Sequence, residues 1–137
     1  MEDTTKIIKN GHEFARDWKR YCKTNTDRYN FLIKIGGEQL GVIFKMEIAF
    51  GLLGDILVAL EECFVPEDAN AIVSILENLS KTSRFTLSLD FLSSIEKDSC
   101  QRLLLKLQCL CMAAASDVTY SFSDNSVQTL MEVYKVS

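Results

Sequence analysis

The 137-residue sequence has one proline, one histidine and one tryptophan, and it has no lysine or arginine anywhere between residues 46 and 80. Each scarcity excludes something. One Pro with six Gly is too little turn chemistry for a collagen-like, loop-rich or all-β sandwich chain, so the composition points to helices. With 47% apolar residues the chain can fill one core, and its length suits one domain. Disorder over most of the chain is excluded, because that much apolar surface offsets chain entropy.

The single histidine, His12, lies at the start of a helical pattern beside a polar tail, with no nucleophile motif near it. General-base chemistry needs a nucleophile on one side and an orienting acid on the other, so no catalytic residue is assigned and the chain is read as non-enzymatic. Gly36-Gly37 with Gly41 lacks the Lys and Ser/Thr of a phosphate loop. The five cysteines, Cys22, Cys63, Cys100, Cys109 and Cys111, contain no CxxC pair. The close pair Cys109 and Cys111 has no third ligand for a tetrahedral zinc site, so neither metal nor cofactor is expected. MEDTTKIIKNG offers no secretory apolar run, which points to a reducing compartment. The longest apolar stretch, Ile48 to Leu60, is interrupted by Asp55 and too short for a membrane span.

The net charge of −4 argues against a nucleic-acid partner, which needs a clustered basic face. The sum hides a gradient. Residues 1–45 hold nine bases and six acids, and residues 46–80 hold seven acids. This gives a basic end and an acidic stripe, read either as solvated helix faces or as a charge-complementary contact to a partner or to another copy.

Hydrophobic spacing organises the rest. Residues 1–11 read as a flexible tail, residues 12–112 as a helical domain, residues 113–124 as a linker, and residues 125–137 as a helix docking on the domain or on a partner. Phe14, Trp18, Tyr21 and Cys22 share a face of the first helix. Asn25 or Thr26 is expected to cap a second helix that presents Tyr29, Leu32 and Ile33 and ends at Gly36-Gly37. A break near Lys45 is expected to separate a short helix from a long central one carrying Phe50, Leu53, Leu57 and Leu60. Gly51 and Gly54 are read as a close helix crossing.

Pro66 opens an element whose apolar face is Ala69, Ile72, Val73, Leu76 and Leu79. FTLSLDFL alternates like a strand, but Phe85, Leu89 and Leu92 also fit a helix, and a short helix is predicted because no partner strand is visible. Ser93 and Glu96 form a capping box before a helix presenting Ile95, Cys100, Leu103, Leu104 and Leu107. Val127, Leu130, Met131 and Tyr134 mark the last helix. The expected fold is all-α: a compact bundle of about six to eight short and medium antiparallel helices without a sheet.

The strings FARDWKRY, DRYNFLIKIGGEQLGVIFKMEIAFGLLGDILVAL and ILENLSKTSRFTLSLDFLSSIEKDSCQRLLLKLQ closely resemble the C-terminal helical domain of RNA polymerase II-associated protein 3 and its relatives. With the terminal LMEVYKVS, the whole chain resembles the family of coiled-coil domain-containing protein 103. The most specific phrases are Arg16-Asp17-Trp18, FGLLGDILVAL and Ser83-Arg84-Phe85.

The resemblance implies a protein-docking module for assembly and axonemal attachment of ciliary dynein arms, in the cytoplasm and the cilium. Dynein arm components, microtubules, further copies of the chain and RuvB-like AAA ATPases working with heat-shock protein 90 are the implied partners. An N-terminal coiled coil typical of that family is missing, so the chain is expected to be a fragment or a truncated form. For an acidic partner surface such as a microtubule, Arg16, Lys19, Arg20 and Arg28 are the candidate contacts, with Lys81 and Arg84 as second candidates. Phe14, Trp18, Phe50, Leu53, Leu57, Leu60 and Phe85 are the expected core.

Overall fold

Asn10 starts the first helix by accepting a hydrogen bond from the Glu13 amide at 2.9 Å, and α1 then runs over Gly11–Tyr21. The computed structural model describes residues 10–45, 48, 51–83, 85–113, 122 and 124–136. Phe14, Trp18 and Cys22 are buried along the i, i+4 row of α1. Tyr21, expected on the same face, is 61% exposed. The Arg20 guanidinium lies 5.5 Å from the Tyr21 ring centroid.

The next helix, α2 (Asn25–Ile35), is capped by Thr24, whose hydroxyl accepts from the Asp27 amide at 3.1 Å. The expected cap at Asn25 or Thr26 was therefore one or two positions late, because both residues lie inside the first turn. Gly36, with φ of 86°, ends α2 and leads directly into α3 (Gly37–Ile43). The break near Lys45 separates α3 from the central α4 (Leu52–Cys63). A 3-10 turn at Pro66–Asp68 leads into α5 (Ala69–Ser80), followed by α6 (Phe85–Asp90), α7 (Ser94–Ala113) and α8 (Asp124–Val133).

The architecture is all-α, with eight α-helices and no strand among the described residues. Helix α3 lies along α5, α4 along α7, and α2 against α4, while α8 packs on α7 and touches α5. The α3/α5 crossing is close because Gly37 and Gly41 face α5. A Cβ at Gly37 would overlap the Ser74 backbone, and one at Gly41 would lie 3.0 Å from Asn78 Oδ1. Gly51 does not serve a crossing: it has φ of 81° with open space where a Cβ would go, so its role is the left-handed turn into α4. Gly54 does serve one, because a Cβ there would overlap the Glu96 carboxylate of α7.

Phe14 anchors an aromatic cluster, with its ring centroid 5.2 Å from Trp18, 5.3 Å from Phe31 and 4.9 Å from Phe44. Leu53, Leu57 and Leu60 are buried as expected, as is Phe85. Phe50 lies outside the described residues. In α6, Phe85 and Leu89 are buried together with Leu92, while Leu87 and Phe91 are 50% and 58% exposed. A strand would have put Phe85, Leu87, Leu89 and Phe91 on one side; only the helical period separates them this way.

The capping box closes α7: Glu96 accepts from the Ser93 amide at 2.9 Å and its own amide donates to the Ser93 hydroxyl at 3.2 Å. Ile95, expected on the apolar face, is 72% exposed. In α8, Val127, Leu130 and Met131 are buried, and Tyr134, just beyond it, is buried too and donates its hydroxyl to the Leu76 carbonyl. The tail and linker expected at residues 1–11 and 113–124 fall largely outside the described residues.

Candidate partner-binding surface

Helix α1 buries one stripe and leaves its cations outside. Asp17 is the exception among its charged residues, being buried, and Arg16 Nε donates to its Oδ1 at 3.2 Å. Lys19, Arg20 and Lys23 are exposed, and Lys23 Nζ donates to the Lys19 carbonyl at 3.0 Å. This last bond satisfies a carbonyl near the helix end and places two ammonium groups on one side of α1.

Arg28 in α2 differs from these. It is half-buried, with its guanidinium carbon 5.1 Å from the Trp18 ring centroid. Its Nε is buried and has no hydrogen-bond partner among the described residues. Across from it, at the start of α4, stands Asp55. Burial raises the Asp55 carboxyl above its ordinary value, the Arg28 charge works against that, and Glu96 adds to it.

Lys19 and Arg28 meet in a groove of about 500 Å³ between α1, α2 and α4, whose apolar lining includes Trp18, Cys22 and Leu52. Lys23 and Asp55 complete its polar lining. Burial pushes the Cys22 thiol up to about 11, which keeps it an apolar wall of the groove in neutral solution. Arg16 and Arg20 lie outside the groove on the flank of α1. Lys81, exposed just beyond α5, is not in it either. Arg84 lies outside the described residues.

Lys23 has no role in the reading of the sequence, and Asp55 enters it only as an interruption of an apolar run. The spacing of Lys19 and Lys23, four apart on one face, was the available signal for the first. Nothing local announced the second, because Asp55 reaches the groove only when α4 folds back beside α1.

No group of three or more His, Cys, Asp or Glu among the described residues is arranged to hold a metal ion. No helix of the described residues is long and apolar enough to cross a membrane. What the surface offers is a set of cations around a partly apolar groove.

Comparison with known proteins gives the setting. The family model described as "Potential Monad-binding region of RPAP3" matches residues 7–97. Dynein axonemal assembly factor 19 of Mus musculus is 47% identical over 72% of this chain and 41% of its own length. The protein of the same name from Xenopus tropicalis is 40% identical over 93% of this chain and 56% of its own length. The chain thus spans about half the length of the curated relatives it matches.

The NMR structure of the C-terminal domain of the human RPAP3 protein shares the fold, with a TM-score of 0.74 and 21% identity, covering 98% of this chain and 93% of that one. The assignment to coiled-coil domain-containing protein 103 is corrected here. The relatives that match carry the name dynein axonemal assembly factor 19. The chain belongs to the family described as the potential Monad-binding region of RPAP3.

Proposed function

We propose that this chain is a non-catalytic protein-docking module of a dynein axonemal assembly factor, working in the cytoplasm and at the axoneme of motile cilia. Two relatives named dynein axonemal assembly factor 19 support the setting. The observation that carries the docking role is the exposed set of cations Arg16, Lys19 and Arg20 on α1 and Lys23 just beyond it, beside the half-buried Arg28. Such a face attracts an acidic protein surface, and a microtubule is the partner it suits; Lys81 and Arg84 are secondary contacts. Dynein arm components are the clients, and self-association of the chain adds valency to a weak single contact.

Cosedimentation of the 137-residue chain with microtubules tests this reading. Binding is expected at low salt, weaker at physiological salt and weaker again in a Lys19→Glu, Arg20→Glu double variant. Binding that ignores both salt and charge reversal removes the basic face as the contact.

Membership in the RPAP3 family favours a second reading, an adaptor that holds a RuvB-like AAA ATPase complex near dynein arm clients. Pull-down of the purified ATPase by this chain alone, without microtubules, supports the adaptor. Absence of capture removes it for this part of the protein.

A further inference from the structure

The cations of α1 and α2 are not equivalent, and the difference lies at Arg28. A guanidinium offers five N–H donors in one plane, and stacking on an aromatic face uses none of them. Arg28 is held over Trp18 in this way, its Nε is out of contact with solvent, and no hydrogen bond or ion pair within the described residues satisfies that nitrogen. A buried donor left without an acceptor is costly and leaves Arg28 unanchored by any internal partner at Nε; the side chain is only half-buried, so the accessible part of its fork is what a partner meets, and the acceptor that best fits a planar fork is a carboxylate.

The groove around it is selective in charge and in kind. Of the side chains that line it, Lys19, Lys23 and Arg28 outnumber the acid, Asp55, so the lining favours an anion; Asp17, paired with Arg16, and Asp27 act on Cys22 from nearby. Trp18, Cys22 and Leu52 supply apolar lining, and about 500 Å³ holds more than a bare ion. We infer that this groove receives an acidic segment of a partner protein, with a carboxylate of the segment pairing with Arg28 and an apolar side chain beside it lying against Trp18 and Leu52. The inference rests on the docking role proposed above and gives it a specific anchor. Lys19 and Lys23 at the rim then steer the segment, while Arg28 fixes its register.

Trp18 is the only tryptophan of the chain, so its emission reports the groove directly. The 137-residue chain is titrated with the acetylated, amidated peptide Glu-Glu-Leu-Glu-Glu at low salt. A saturable change in Trp18 emission is expected, weakened about tenfold in Arg28→Gln and strengthened about threefold in Asp55→Asn, which removes the competing internal carboxylate. Circular dichroism identifies a variant that has lost its fold; should Arg28→Gln do so, Lys19→Glu with Lys23→Glu replaces it, with the same loss expected from the exposed rim.

An equal response to a Lys-Lys-Leu-Lys-Lys peptide or to a short oligothymidylate overturns the inference, as does unchanged affinity in Arg28→Gln. Microtubule cosedimentation of the unmodified chain separates the two levels. Cosedimentation with no peptide response removes the groove and leaves the docking role, whereas loss of both removes the docking role as well.

Discussion

Tyr134 joins the last helix to the middle of the fold: its hydroxyl donates to the Leu76 carbonyl at 2.7 Å, and its ring meets Phe85 edge-on with centroids 4.9 Å apart. One residue beyond α8 thus contacts both α5 and α6. Tyr134→Phe keeps the ring and removes the bond, so a loss of about 1 kcal/mol is expected. Tyr134→Ala also removes a buried aromatic side chain and is expected to cost about 3–5 kcal/mol. Urea denaturation followed by circular dichroism measures both; equal losses would show that the hydroxyl, not the ring, carries the contact.

Glu61 of α4 is buried and receives Lys106 Nζ at 2.9 Å, with Arg102 Nε 3.5 Å away, both from α7. Burial pushes this carboxyl up, but the two cations more than offset it and leave it below its ordinary value. The folded state therefore binds a proton at Glu61 less readily than the unfolded chain does. The resulting stabilisation is complete above the ordinary carboxylate pKa and is lost as pH falls through the depressed folded value. Glu61→Gln is expected to cost about 1–2 kcal/mol at pH 7 and progressively less in acid, because both cations are partly exposed and rehydrate. Urea midpoints of the two proteins between pH 7 and pH 3 should converge; a constant gap would assign the loss to packing.

The glycines of the two close crossings should respond differently to alanine. At Gly37 the obstacle is the Ser74 backbone, which cannot rotate aside, and a loss of about 2–3 kcal/mol is expected. At Gly54 the obstacle is the end of the Glu96 side chain. Moving it weakens the α7 cap by about 1 kcal/mol, which the better helix propensity of Ala roughly offsets, so Gly54→Ala should be close to neutral. Thermal unfolding of the two variants decides this, and a loss at Gly54 as large as at Gly37 would contradict it.

The five thiols should label in an order set by burial. Cys109 is exposed, Cys63 and Cys111 are half-buried, and Cys22 and Cys100 are buried. Desolvation pushes the Cys100 thiol up to about 12, so it has almost no thiolate at neutral pH. Time-resolved reaction with a thiol-specific disulfide reagent at pH 8 should show Cys109 first, with Cys22 and Cys100 reacting only on addition of urea. Early labelling of Cys100 in the folded chain would mean that α7 opens locally.

The features legible in the sequence were those written within one helix. Phe85, Leu89 and Leu92 carried the helical phase of α6 against a competing strand pattern, and Ser93 with Glu96 announced the start of α7. The unreadable features join segments distant along the chain. Gly37 and Gly41 explain themselves only once Ser74 and Asn78 are known to face them, and Glu61 meets its cations 45 residues later at Lys106. The groove is of this kind too: Trp18, Arg28 and Asp55 come from three helices, and periodicity places each on a face without saying which faces converge. Tyr21 and Ile95 fit the apolar pattern of their helices yet are 61% and 72% exposed, which periodicity alone does not reveal.

The stretch without a basic residue, 46–80, has a practical consequence for dividing the protein. Its buried carboxylate at Glu61 borrows both cations from α7, beyond residue 97, where the family match ends. A chain trimmed at that limit would strip α4 of most of the helix lying along it and remove both counter-charges of Glu61. Fragments cut by family similarity should therefore be extended through α7, and the acidic middle of the molecule cannot be treated as an independent folding unit.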